Sequence, residues 1–201
     1  VFFKASMTTI SSSSAALRGV VLATVLATLG SVSFADQQLL AAQSEIGFVS
    51  KQMGVPVEGH FRKFDAQITF DPARPQASRI AFTVDVTSAT LGSPESDAEL
   101  PKAAWFNAAK FSQATFQSSA MRSLGPGKFE VVGKLGIKGS LQDVVVPVAL
   151  TQAGATTTAT GSFLVKRLAF RIGEGEWADT SMVADEVLVK FRLTLTGVGK
   201  I

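Results

Sequence analysis

No cysteine and no tyrosine occur among the 201 residues, and His60 is the single histidine. Without cysteine there are no disulfides, no thiolate metal sites and no cysteine nucleophile, and one histidine gives no basis for a histidine-built metal centre. His60 stands between Gly59 and Phe61 with the opposite strand parity, which places it on a surface or an edge. Charge is also scarce. Lys and Arg number 19 against 16 Asp and Glu, and no basic run or stripe with interleaved aromatics occurs, so the electrostatic footprint of a nucleic-acid partner is missing. Stability must therefore come from burial. The aromatic set is fifteen Phe and two Trp, which suits a dry interior better than a sugar-binding surface, where polar aromatic handles are wanted.

Lys4 and Arg18 precede an uncharged run, Gly19 to Gly30 (GVVLATVLATLG), and Ser33-Phe34-Ala35 follows with small residues at the positions a signal peptidase reads. The run is shorter than the roughly 20 residues a spanning helix needs, which favours a cleaved signal over a retained anchor. The expectation is a signal peptide over residues 1–35 with cleavage after Ala35. One domain over 36–201 would then be exported to the periplasm. Both charges of the removable segment are basic, so the mature part is close to charge balance.

Strand patterns dominate that mature part. Val187, Val189, Phe191, Leu193 and Leu195 alternate with Leu188, Lys190, Arg192, Thr194 and Thr196, giving one apolar and one mostly polar face. The same period of two recurs over Ile80 to Thr87 and over Val131 to Lys138. Further strands are expected over Glu45 to Gln52, Val57 to Phe70, Ala114 to Met121, Val144 to Thr151 and Thr156 to Val165. Turn signals separate them at Asp71-Pro72, Gly125-Pro126-Gly127, Gly139-Ser140 and Gly154. Roughly eight short, regularly punctuated strands indicate an all-β, antiparallel barrel or sandwich. Val57 to Phe70 changes parity midway, which a bulge near Arg62-Lys63 would reconcile. Helix is expected once, with Ser93 as cap, Pro94 in the first turn and Glu95 and Asp97 at the positive dipole end, running to about Leu100. Trp105, Phe106 and Phe111 follow it closely, so this segment could form a lid over one end of a barrel.

Four blocks then resemble the YceI-like, polyisoprenoid-binding family. They are Ser44 to Asp71 with Gly59 and Phe61 at a G-x-F pattern, Ser88 to Ser119 with its aromatic pair, GKLGIKG at Gly133 to Gly139, and KRLAFRIGEGEWAD at Lys166 to Asp179. The resemblance implies a lipocalin-like antiparallel barrel that encloses a long isoprenoid chain, with an envelope redox membrane protein as a conceivable partner. Two departures are visible. The histidine often found in the first block is Gln52, and the Arg-Asp-x-His pattern of the second is Ser96-Asp97-Ala98-Glu99.

Eight strands make a barrel that is either filled by side chains or able to hold one small ligand. Gly47, Gly59, Gly133 and Gly136 within strands suggest room. The residues expected to line the cavity or its lid are Phe48, Phe61, Phe82, Trp105, Phe106, Phe116, Leu135, Phe170, Trp177 and Phe191. Gln52, Asp97, Glu99 and Arg171 are the polar candidates for its mouth, and Arg167 with Arg171 could meet an acidic head group. The favoured function is a carrier of a prenylated lipid or quinone, with no catalytic residue, no metal and no cofactor beyond the bound lipid. The alternative is an isomerase or hydrolase of apolar substrates using Asp97 or Glu99 as base, and a filled structural barrel is a third reading. A hydrophobic edge strand could support a homodimer.

Overall fold

A computed structural model describes residues 37–201. The signal-peptide reading over residues 1–35 lies outside the described residues. The chain forms β1 (Gln38–Leu39), β2 (Glu45–Gln52), β3 (Val55–Phe61), β4 (Phe64–Thr69), β5 (Arg79–Asp85), β6 (Ala89–Thr90), helix α1 (Pro94–Glu99), β7 (Gln113–Gly125), β8 (Lys128–Ile137), β9 (Ser140–Ala153), β10 (Thr156–Lys166) and β11 (Glu186–Thr196). All pairings are antiparallel, in the order β4-β5-β7-β8-β9-β10-β11-β2-β3-β6, with β1 beside β11. The sheet curls into the expected lipocalin-like barrel because every long strand has one apolar face to bury.

The parity change after Phe61 is where one strand becomes two. Arg62-Lys63 interrupts the run, and Phe61 and Ile68, of opposite parity, both reach the interior. β3 stays on β2 while β4 pairs with β5, so the halves of one bent segment lie near opposite ends of the strand order. The Gln37 side-chain amide then imitates a strand pair, donating to the Phe70 carbonyl and accepting from the Phe70 N–H, both at 2.7 Å. Hairpins β2–β3 and β8–β9 turn on Met53-Gly54 and Lys138-Gly139, all four with positive φ (48°, 80°, 49° and 77°), the mirror-image turn that matches the strand twist.

Helix α1 occupies its expected place, but the Ser93 side chain makes no capping bond. Pro94 starts the helix, and the carboxylate of Asp97 turns back to accept from the Thr90 hydroxyl and the Leu91 N–H, both at 2.6 Å. Two apolar clusters fill the two levels of the barrel. Phe70, Met121, Phe129, Leu193 and Leu195 belong to the end that carries the β7–β8 and β9–β10 hairpins. Val86, Leu100, Phe106, Phe170 and Ile172 lie under the long connections β6–β7 and β10–β11, which together cover the other end.

Candidate functional site

Between these clusters lies a cavity of about 190 Å³ whose lining side chains are all apolar. It exists because inward glycines give up their space to aromatic rings. Where a Cβ would stand on Gly59, Gly133 and Gly161, the rings of Phe48, Phe116 and Phe191 already sit. Each ring therefore lies back against the wall, where a bulkier partner would push it into the lumen. The other two strand glycines do not contribute room. Gly47 neighbours the Lys190 chain and Gly136 neighbours Leu141 and Thr115, so both face outward.

Phe61, Phe82, Phe106, Phe116, Leu135 and Phe191 border the cavity. Phe48, Trp105, Phe170 and Trp177, expected at the cavity or its lid, do not border the cavity and stand towards the lid. Phe48 faces inward but lies nearer the lid, across Gly59 and against Phe61 with ring centroids 5.4 Å apart. Phe170 is 2% exposed and fills the cluster below the lid, at the end of the 3-10 turn Arg167–Phe170 that follows β10. Trp105 and Trp177 pair with each other at 5.6 Å, joining the two lid connections. The Trp105 indole N–H is buried without a hydrogen-bond partner. Phe70, Phe129 and Phe163 line the cavity and were not among the expected residues, although their strand parity marks them.

The four polar candidates for the mouth do not assemble there. Gln52 ends β2 and is bridged to Val183. Glu99 makes a surface ion pair with Lys102. Arg171 adopts a left-handed backbone (φ 56°) and donates to the Lys138 carbonyl at 3.3 Å. Asp97 ties the start of α1 to Thr90 and Leu91, and these bonds, the Thr90 hydroxyl foremost, hold its carboxyl below the usual carboxylate value. Arg167 is not available to a head group either. The residue is 2% exposed, and its guanidinium donates to the carbonyls of Val183 (2.6 Å), Ile172 (2.8 Å), Ala184 (3.0 Å) and Gly173 (3.2 Å). Burial lowers its pKa, and the charge of Asp185 opposes that shift.

The residue that organises this end is Lys138, in the β8–β9 turn. It is 3% exposed, and its ammonium reaches the carbonyls of Arg171 (2.6 Å), Ala103 (2.7 Å) and Ala104 (3.4 Å) and the carboxylate of Glu174 (2.8 Å). That bond is the main reason the Glu174 pKa is lowered. Hydrogen bonds to charged groups contribute roughly 1.5–3 kcal/mol each. Burying the two cations also costs desolvation, as the lowered Arg167 pKa shows, so their role is to pair lid carbonyls that would otherwise be buried without donors.

Comparison with known proteins agrees with this architecture. A "UPF0312 protein" of Vibrio cholerae is 32% identical over 114 residues, 56% of this chain and 60% of that protein, so the match spans less than two thirds of the relative's length. The crystal structure of Burkholderia cenocepacia BcnA superposes with a TM-score of 0.76 at 47% identity, covering 78% of this chain and 99% of that one. A polyisoprenoid binding domain from Saccharophagus degradans, implicated in plant cell wall breakdown, shares the fold with a TM-score of 0.65 at 15% identity, over 80% of this chain and 98% of its own. The YceI-like domain matches residues 38–195, which include every strand but the last residue of β11, and the chain belongs to the YceI-like family.

Proposed function

We propose that this protein binds an isoprenoid-type lipid, a polyprenyl chain or a prenylated quinone, with its apolar tail in the barrel cavity, and carries it unchanged. The observation that carries the reading is the wholly apolar lining of a cavity of about 190 Å³. A dry apolar cavity of roughly 150 Å³ is large enough to take up benzene, and each buried CH₂ of a tail contributes about 0.8 kcal/mol. Affinity then needs no charged contact. The described likeness to a polyisoprenoid binding domain supports the same reading.

Catalysis has little to work with in this arrangement. No lining side chain can exchange a proton. Asp97 is committed to Thr90 and Leu91 with a lowered pKa, which makes it a weaker base, and Glu99 is engaged by Lys102 at the surface. The periplasm as place of work is part of the proposal and rests on the apolar run Gly19 to Gly30 with Ala35 behind it.

The test is mass spectrometry of organic extracts from the protein purified without detergent from its own host, beside an unrelated exported protein. A stoichiometric prenyl lipid is the expected result, and it also names the head group. An empty protein that takes up no added prenyl lipid would refute the proposal.

A further inference from the structure

Apart from the seam between the end strands of the order, β4 and β6, which share no ladder, the barrel wall has an unpaired stretch among the described residues. β9 and β10 pair from Ala153–Thr156 to Val148–Gly161 and, among the described residues, no further. On their other sides both strands stay paired, β9 with β8 down to Ser140 and β10 with β11 up to Lys166. The ladder stops at Pro147. Its carbonyl oxygen lies against Gly161, so its nitrogen also faces β10, and a proline nitrogen has no proton to donate there. Beyond that point, among the described residues, a 3.4 Å bond from the Gln142 amide on β9 to the Ala169 carbonyl, in the turn after β10, spans the lid rim.

The inner side of this gap is the cavity. Continued in register, the ladder would set Val146 opposite Phe163 and Val145 opposite Leu164. Val146 and Phe163 line the cavity from either side of the gap. Outside, the margins are apolar and uncovered, with Leu141, Val145 and Leu164 exposed by 64%, 53% and 59%, and Leu188, the partner of Leu164 on β11, by 36%. The two ends of the barrel are covered. Lys138 and Arg167 fasten the lid, and the opposite end is closed by the Phe70 and Phe129 rings, 5.2 Å apart and edge to face.

We propose that the apolar chain enters sideways, through the gap between β9 and β10, while the lid stays in place. This rests on the carrier reading given above and adds the route. A continuous apolar path runs from Leu164 and Val145 outside to Phe163 and Val146 within, and no ladder hydrogen bond has to break for a chain to follow it. A tail longer than the cavity can hold would leave its remainder in the same gap.

The absence of native cysteine makes the route testable. Val145→Cys and Leu164→Cys are combined and each thiol is converted to a sulfonate-bearing mixed disulfide with 2-sulfonatoethyl methanethiosulfonate. Loading of [14C]geranylgeraniol from phosphatidylcholine vesicles is then followed in time. The labelled protein is expected to load at least tenfold more slowly and to recover its rate when dithiothreitol removes the label. The same label on Leu124→Cys, equally exposed on β7 but remote from the gap, is expected to change nothing. Pro147→Val, which restores a donor to β9, is expected to slow loading severalfold. An unchanged rate in the labelled double variant would overturn the route and leave the carrier reading standing. Failure of the unlabelled wild-type protein to load would overturn both. A dimer that separates on labelling would assign the gap to a subunit contact and overturn the route.

Discussion

The two ends of the barrel are closed by different physics. At the lid end, long irregular connections run over the opening, and their carbonyls have no ladder partners. Lys138 and Arg167 supply donors to them, and the carboxylates of Asp97 and Glu174 complete the network. At the hairpin end, tight turns satisfy their own backbone, and closure falls to the rings of Phe70 and Phe129, to Val198, and to one side-chain amide, Gln37. Irregular backbone can be buried only if its polar groups are paired. Buried cations therefore belong where the chain abandons the sheet, and apolar rings suffice where it does not.

This contrast can be broken at either end. The largest expected effect is that of Arg167→Met, which leaves four carbonyls without their donor. A loss on the order of 4 kcal/mol in urea unfolding is expected, with the near-ultraviolet signal of Trp105 and Trp177 lost first. Phe129→Ala should cost about 3 kcal/mol by emptying the opposite end, yet leave the tryptophan signal in place up to global unfolding. Equal disturbance of the lid by both variants would mean that the ends are not independent.

Acid should loosen the lid through Glu174 and Asp97, while Asp71 and Glu130, also held below their ordinary values, lose their ion pairs with Arg74 and Arg122 nearer the other end. Glu174 and Asp97 have folded-state pKa values below their ordinary 4.5 and 3.8. Their contribution is thus in place above those ordinary values and is lost as the pH falls through the lower folded values. A change in tryptophan fluorescence below pH 4.5, preceding loss of the far-ultraviolet strand signal, is the expected course. The smallest effect is that of Trp105→Phe. It removes a buried donor that has no acceptor, and so should shift stability by no more than about 1 kcal/mol despite the lost ring area.

How far these features could be read from the sequence follows the same division. The alternation of Val187 to Leu195 and the parity break at Arg62-Lys63 marked the interior faces correctly because a period of two is a local property, although the break divides two strands instead of bulging one. That is why Phe82, Phe116 and Phe191 could be foreseen on the cavity wall. The lid could not be read in this way. Trp105 meets Trp177, and Lys138 meets Ala103 and Glu174, across long stretches of chain and outside any periodic element. Lys138 had looked like one more outward residue of its strand. One signal was available: a lysine beside Gly139 at a turn position with positive φ, where Asn or Asp would be the ordinary choice. Asp97 stands at the helix start as expected, but its partners could not be read for a different reason. A carboxylate at a helix start looks the same in sequence whether it is free or, as here, already bonded to Thr90 and Leu91.

The central claim is that the apolar cavity holds a lipid tail. Ala159, buried on β10, lines it, and Ala159→Phe would place a ring inside the 190 Å³ cavity. The decisive measurement is equilibrium uptake of [14C]geranylgeraniol by this variant beside wild type, with thermal unfolding recorded on both. The expected result is loss of uptake with a melting temperature equal to or above that of the lipid-free wild type, since filling a void is stabilising where it causes no strain. Undiminished uptake by the stably folded variant would contradict the account.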